Sequence, residues 1–313
     1  MTTVSLLIAL VAVAVMGFAN QRGGTCTVAA IEEIVTTWKF SRLLALFEAS
    51  LWVGGGLILL NFVGLLPIRP MGYAVGLATI LGGVLFGLGA FLNRACLFGT
   101  VARLGSGEWA YAATPLGFYL GSLITLGLHA PAQSQDKSLI LAASSWVALA
   151  ILVLLAARLL TYGMAIQRNH RAILTHAWSP HVATTIIGIT FLVALVTAGN
   201  WTSSEFLSDL ADGVKSSWTA KSLLYLSLFG GAVFGGWTAR SLKHTAPDTL
   251  SVLRCLAGGA MMGAGGALIP GGNTGLVLIG MPLLLSYAWL AFIAICVTIY
   301  LAIRLTGLMA SPQ

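Results

Sequence analysis

Apolar residues run in blocks along this chain, and the polar positions gather in the gaps between them. The blocks lie near 4–19, 40–62, 72–92, 109–129, 138–160, 181–199, 219–239, 249–268 and 282–306. A stretch of about 20 apolar residues in a helix crosses a hydrocarbon layer of about 30 Å. The pattern therefore predicts an all-α, polytopic membrane protein of about nine transmembrane helices. The first block, Val4 to Ala19, has no Lys or Arg before it and no small-residue cleavage signal, so it reads as a retained helix rather than a signal peptide. Three connections differ from ordinary polar loops. Segments 20–38, 93–107 and 269–281 are Gly-rich, modestly apolar and too short to span. Such backbone lies within a membrane only where protein or a watery cavity covers it, so these segments are expected to be re-entrant loops carrying short half-helices.

Composition agrees with this pattern. Apolar residues make up 58% of the 313 and charged residues only 8%, against about 25% charged in soluble domains. The net charge of +7 would suit nucleic acid, but no polar domain exists to carry a basic face. Its distribution points instead to membrane topology. With the N-terminus outside, the inner segments hold Arg22, Lys39, Arg42, Arg94, Arg103, Arg158, Arg168, Arg171, Arg240, Lys243, Arg254 and Arg304, and the outer ones Arg69, Lys137, Lys215 and Lys221. That asymmetry favours a periplasmic N-terminus and a cytoplasmic C-terminus in a bacterial inner membrane. The acidic stretch with Glu205, Asp209 and Asp212 then faces the periplasm. No nucleotide-binding motif is present, no cofactor is called for, and His170, His176 and His181 match no metal-binding spacing. The reading is of a protein that moves a small solute, not an enzyme.

A shift of 176 residues superposes Gly82, Gly83, Gly87, Gly89, Leu92 and Gly99 on Gly258, Gly259, Gly263, Gly265, Leu268 and Gly275. It carries the third block onto the eighth, an odd displacement, so one unit would be inverted relative to the other. Inverted repeats are a common transporter plan, with the solute site at midplane where irregular backbone meets. The expected organisation is a first half over 1–137, a linking helix and loop over 138–180, and an inverted second half over 181–313.

Candidate chemistry sits in the three Gly-rich segments. The first reads Gln-Arg-Gly-Gly-Thr-Cys-Thr over 21–27. A half-helix starting there presents free N–H groups and its positive dipole end to an anion, while Thr25 adds a hydroxyl and Cys26 a weak, polarizable thiol. The plainer alternative is that Gly23 and Gly24 make a tight turn and Cys26 fills a gap. The second reads Asn-Arg-Ala-Cys-Leu-Phe-Gly-Thr over 93–100, so a cation again precedes a thiol. Two such segments on one side of the membrane, with Arg22, Arg94, Cys26 and Cys96, suit a sulfur-bearing anion; the arginines would alternatively only anchor the interface. The third, Pro270-Gly271-Gly272-Asn273-Thr-Gly275, offers backbone donors and an amide but no thiol. Glu48 lies inside the second block, where a carboxylate needs a partner or water. It serves either a proton relay or an ion pair with Arg42 or a loop arginine. Cys255 and Cys296 have no polar motif beside them. The four cysteines form neither a CxxC nor a disulfide framework.

At Arg22-Gly-Gly-Thr-Cys26-Thr-Val-Ala-Ala30, Asn93-Arg-Ala-Cys96-Leu-Phe-Gly99 and Pro270-Gly-Gly-Asn273 the chain resembles the YeeE/YedE family of bacterial membrane proteins, associated with uptake of thiosulfate and related sulfur compounds. The resemblance covers nearly the whole chain. It implies an hourglass-like fold of inverted halves whose inserted loops meet near the centre, with thiols passing thiosulfate along by S–H to sulfur hydrogen bonds. Cys26 and Cys96 take the places of two such thiols, and Gly24, Thr25, Asn93, Arg94, Gly271, Gly272 and Asn273 line the same path, with Arg22 and Glu48 as charge support. The resemblance also implies a cytoplasmic TusA-like sulfur carrier as partner. Relatives often carry Gly-Gly-Cys in the second half, where this chain has Asn273. The solute is accordingly thiosulfate or a related sulfur anion. Other readings are a different small anion, a persulfide-forming sulfur-relay protein whose thiol is activated by Arg22 or Arg94, and a structural subunit that does not transport.

Overall fold

Each apolar block folds as a helix, because backbone N–H and C=O groups away from water must be satisfied within their own segment. The computed structural model describes residues 2–66, 72–126, 132–134, 138, 140–141, 145–168, 177–214, 218–243 and 246–307. The chain opens with α1 (Thr3–Gly23), α2 (Thr27–Thr37) and α3 (Ser41–Phe62). Then follow α4 (Leu77–Asn93), α5 (Leu97–Gly105), a 3-10 turn over Trp109–Ala112, and α6 (Ala113–Ile124). A two-residue ladder pairs β1 (Gly72–Tyr73) antiparallel with β2 (Gln133–Ser134). After α7 (Ser145–Arg168) come α8 (Pro180–Ala198), α9 (Ser203–Ala211) and α10 (Trp218–Thr238). The chain closes with α11 (Thr249–Leu268), the single turn α12 (Gly272–Gly275) continuing as a π-helical turn over Leu276–Gly280, and α13 (Ser286–Thr306).

Among the described residues, six helical stretches are long and apolar enough to cross a membrane: Thr3–Thr37, Ser41–Phe62, Leu77–Gly105, Pro180–Ala198, Thr249–Leu268 and Ser286–Thr306. The chain is thus a multi-pass membrane protein, while the expected crossings 109–129 and 219–239 take another form among the described residues. Block 109–129 yields only the 12-residue α6, about 18 Å long, because the 3-10 turn precedes it. Helix α10 has the expected 21 residues, but Lys221, two serines and four glycines dilute its apolar face. Block 138–160 becomes α7, shifted toward the C-terminus.

Glycine governs how the helices meet. Helices α4 and α11 run antiparallel with their backbones in contact. A Cβ on Gly82 would lie 3.0 Å from the carbonyl oxygen of Gly265, and one on Gly265 would lie 2.7 Å from that of Gly82. Gly89 and Gly258 oppose each other in the same way, at 2.6 and 2.7 Å. Small residues permit this approach, which in a membrane replaces the hydrophobic drive for helix association. Gly117, Gly121 and Gly263 seat α6 on α11, and Gly17 and Gly231 seat α1 on α10. Large side chains fill what remains, with Phe86, Phe118, Phe191, Met262 and Leu276 fully buried.

The succession of long helix, short helix and long helix occurs twice. Helices α8, α9 and α10 begin 177, 176 and 177 residues after α1, α2 and α3, at Pro180, Ser203 and Trp218 against Thr3, Thr27 and Ser41. Several contacts tie connecting segments to the helix ends. Trp178 donates its N–H to the Arg22 carbonyl, Lys243 donates its own to Ser106, and Arg304 lies over the Trp38 ring at 5.9 Å.

Candidate functional site

Two helices break close to one another in space, and each break ends on a cysteine. Helix α1 stops where Gly24 turns to φ 55°, a conformation open to glycine, and the Gly24 N–H returns to the Asn20 carbonyl. The chain then extends through Cys26, which caps α2. Helix α4 stops at Arg94, whose φ of 59° is rare for a residue with a side chain. Its N–H bonds back to Ala90 and Phe91, and Cys96 caps α5. Each thiol thus sits at the start of a short helix, where backbone N–H groups lack helical partners.

The two caps touch. Cys26 Sγ and Cys96 Sγ are 3.6 Å apart; the Cys96 N–H donates to Cys26 Sγ at 3.5 Å and the Thr27 N–H to Cys96 Sγ at 3.3 Å. Both cysteines are reduced and buried. Gly99 makes room for the pair, since a Cβ there would lie 2.5 Å from Cys26 Sγ. The third Gly-rich segment reaches the same point. Gly271 and Gly272 adopt φ of 89° and 51°, and the Asn273 amide Nδ2–H donates to Thr27 Oγ1 at 3.3 Å. Beyond Asn273, Ser203 Oγ lies 3.4 Å from Thr274 Oγ1, and Ser204 donates to the Gly271 carbonyl. A buried file of polar atoms therefore runs from the thiols through Thr27 and Asn273 to a group of hydroxyls.

A cavity of about 240 Å³ reaches Cys26 and is lined also by Gly24, Glu32, Arg42, Arg94 and Arg103 among others. Arg103 is paired with Glu108 at 3.0 Å, while Arg42 and Arg94 have no ion-pair partner among the described residues. Thr25 Oγ1 is buried beside the first break without a hydrogen-bond partner among the described residues. The arrangement can receive a small anion among arginines and bring it against two thiols.

Other residues singled out by the sequence hold the site rather than face it. The Asn93 amide donates to the Ala95 carbonyl at 2.7 Å and to Thr100 at 3.2 Å, and its oxygen accepts from Thr114 at 2.9 Å. Asn93 thus shapes the second loop and has its hydrogen bonds filled. Arg22 is buried, donates to Thr238 Oγ1 at 2.8 Å and covers the Phe18 ring, away from the cavity lining. Glu48 accepts from Arg158 at 3.0 Å and His181 at 2.7 Å. Its partners come from α7 and α8, and Arg42 instead donates its backbone N–H to Glu33. His170 and His176 lie outside the described residues. Cys255 is buried elsewhere in the core.

Sequence reasoning missed Thr202, Ser203, Ser204 and Thr274. Hydropathy reads them as an ordinary polar connection. The signal was the 176-residue offset, which places Thr202, the cap of α9, opposite Cys26, the cap of α2.

With this geometry in view, comparisons with known proteins agree on one direction. Residues 22–301 match the protein family described as Sulphur transport (Sulf_transp). The thiosulfate transporter TsuA of Escherichia coli (strain K12) is 22% identical over 335 residues, covering 95% of this chain and 93% of that protein.

Proposed function

The chain belongs to the sulphur-transport family, the YeeE/YedE proteins, and from that premise we propose that it imports thiosulfate or a closely related sulfur anion across the bacterial inner membrane. The observation that carries the reading is the contact of two buried thiols, Cys26 and Cys96, where two broken helices meet. Thiosulfate carries two negative charges, spread over hard oxygens and one soft terminal sulfur. Thiols are weak donors with polarizable sulfur, so they match the terminal sulfur better than they match sulfonate oxygens. The N–H groups at the starts of α2 and α5 replace part of the lost hydration, and their dipole ends favour negative charge.

Arg42 and Arg94 line the cavity that reaches Cys26 and hold the anion's charge there. Gly24, Thr25, Gly271, Gly272 and Asn273 shape and line the remainder. Conduction requires each contact to be weak enough to release the solute, and a string of single donors meets that need better than one deep trap. In the membrane we place the arginine-lined cavity toward the cytoplasm, following the positive-inside rule, so the N-terminus is periplasmic and the C-terminus cytoplasmic. The halves 1–137 and 181–313 are then inverted about the thiol junction and linked through 138–180. On this reading the solute leaves toward the basic cavity, where a cytoplasmic TusA-like sulfur carrier would receive it.

Uptake of ³⁵S-thiosulfate into proteoliposomes tests the proposal, comparing wild type with Cys26→Ser, Cys96→Ser and Asn273→Ala. Both serine variants should lose most uptake while folding normally. Wild-type uptake retained in both would remove the thiols from the path, and absence of uptake by wild-type protein would remove thiosulfate.

A further inference from the structure

The mechanism above uses the thiols and leaves the hydroxyls beyond Asn273 without a task. Five polar residues gather there within the bundle: Thr202, Ser203 and Ser204 at the start of α9, and Asn273 and Thr274 in α12, all at most 6% exposed. They come from segments separated by about 70 residues, drawn together because Gly272 approaches α9 so closely that a Cβ would lie 2.9 Å from that of Ser204. No thiol is among them. Their donors are hard: hydroxyl groups and one amide. Immediately before Thr202, Trp201 is 3% exposed and its indole N–H has no hydrogen-bond partner among the described residues. Leaving such a donor unpaired in the interior is unfavourable. Trp201 borders a cavity of about 270 Å³ together with Asn200, Thr197 and Lys221, whose ammonium is paired with Asp209.

We propose that Ser203 and Thr274, held in place by Ser204's bond to the Gly271 carbonyl and joined to the thiols through the Asn273–Thr27 contact, form a second binding station that recognises the oxygens of a tetrahedral oxyanion irrespective of any terminal sulfur. The cavity beside Trp201 and Lys221 is its antechamber. The inference rests on the reading of the thiol junction as the solute path. It adds a division of labour: one half of the path is selective for oxyanions in general, and the other for soft sulfur. The Asn273 to Thr27 hydrogen bond, at 3.3 Å, closes the file between the stations and must open for a solute to pass. Sulfate, which has the same oxygens and no terminal sulfur, should therefore occupy the hydroxyl station and stop before the thiols.

Two measurements on the full-length protein test this: equilibrium binding of ³⁵S-sulfate to purified protein, and inhibition of ³⁵S-thiosulfate uptake by sulfate in proteoliposomes. Wild type should bind sulfate and be inhibited by it without transporting it. Ser203→Ala combined with Thr274→Val should weaken sulfate binding roughly tenfold or more, the size expected for losing donors to a charged group. Cys26→Ser and Cys96→Ser should leave sulfate binding as in wild type. If the double variant loses binding through misfolding, Ser203→Thr with Thr274→Ser keeps both hydroxyls and should restore it. Absence of sulfate binding in wild type, or binding unaffected by loss of the hydroxyls but weakened by loss of the thiols, overturns the station. Hydroxyl-dependent sulfate binding in a protein that fails to move thiosulfate would leave the station standing and overturn the transport reading. Thiol-dependent thiosulfate uptake without sulfate binding would do the reverse.

Discussion

Gly99 offers the sharpest handle on the thiol junction. Replacing it with alanine adds one methyl group, 2.5 Å from Cys26 Sγ, 3.0 Å from Cys26 Cβ and 3.1 Å from Ala95 Cβ. Unstrained heavy-atom contacts lie near 3.5–4.0 Å, so the sulfur must retreat by about 1 Å. It cannot do so freely, because Cys26 Sγ accepts the Cys96 N–H and packs on Cys96 Sγ. Inserting a methyl group into a filled interior costs about 1–3 kcal/mol. If that strain falls on the junction through which solute passes, uptake should drop by roughly 5- to 150-fold, at about 1.4 kcal/mol per factor of ten. The assay is initial-rate ³⁵S-thiosulfate uptake in proteoliposomes, normalised to correctly folded protein by its elution as a single peak. Gly64→Ala is the control: its φ of 73° strains alanine through the backbone alone, and nothing lies within 4 Å of the added methyl group, so it should lose stability and not specific uptake. Combining Gly99→Ala with Cys26→Ala should be non-additive, since the second change removes the atom that the first strikes. Wild-type uptake in Gly99→Ala, or full additivity in the pair, would refute a solute path between these thiols.

Three further outcomes follow from the same geometry. Treatment with diamide, which accepts the two hydrogens, should join Cys26 to Cys96 and abolish uptake. A thiol reductant should restore it, and Cys96→Ser protein should form no such disulfide, as read by free-thiol counting before and after diamide. Glu48→Ala should lower stability by about 1 kcal/mol, since it removes the carboxylate that joins Arg158 to His181. Thermal melting should fall by about 2–4 °C with uptake per folded molecule unchanged, and lost uptake at an unchanged melting point would instead make Glu48 a relay. Glu205, outside the long crossing helices, is held up to about 7 by burial first and then by Asp209, with Lys221 opposing. It is therefore neutral below about 7 and anionic above it, beside Asn200 and the antechamber; the phenol of Tyr73 is itself pushed upward, by burial first and then by Glu205. Uptake should fall as external pH rises through that value at fixed internal pH, and Glu205→Gln should flatten the profile; an unchanged profile would detach Glu205 from entry.

How much was legible depended on the range of each interaction. Helix α11 matches its block at both ends, because Asp248 caps the helix and the Pro-Gly-Gly run follows it. The first cysteine-bearing break was legible too, since paired glycines beside a thiol are a local pattern, whereas the second turns at Arg94 with no glycine pair beside Cys96. Side-chain partners across the bundle were not. Cys26 and Cys96 stand 70 residues apart, and their contact depends on how Gly99 seats α5 against the first break. Asn93 looked like a solute contact, but its amide is taken up by Ala95, Thr100 and Thr114. Glu48 found Arg158 on α7 rather than the nearer Arg42, because ion pairing follows helix facing and not distance along the chain.

The hydroxyl group on α9 carries the larger lesson. Polar residues between two apolar blocks read as a solvated loop by default, and only the recurrence of a long helix broken before a short one marks Thr202 as the counterpart of Cys26. Once that correspondence is drawn, the exchange of hydroxyl for thiol has a physical consequence. An oxyanion that sheds water at Ser203 and Thr274 meets donors of strength comparable to the water it lost. At Cys26 and Cys96 the donors are weaker, so a solute made only of hard oxygens is under-compensated there, while one with a soft sulfur is not. A deficit of about 1.4 kcal/mol at the thiols already separates two such solutes tenfold. Selectivity then arises from the contrast between stations and not from tight binding at either, which is the condition that also lets the chosen anion leave.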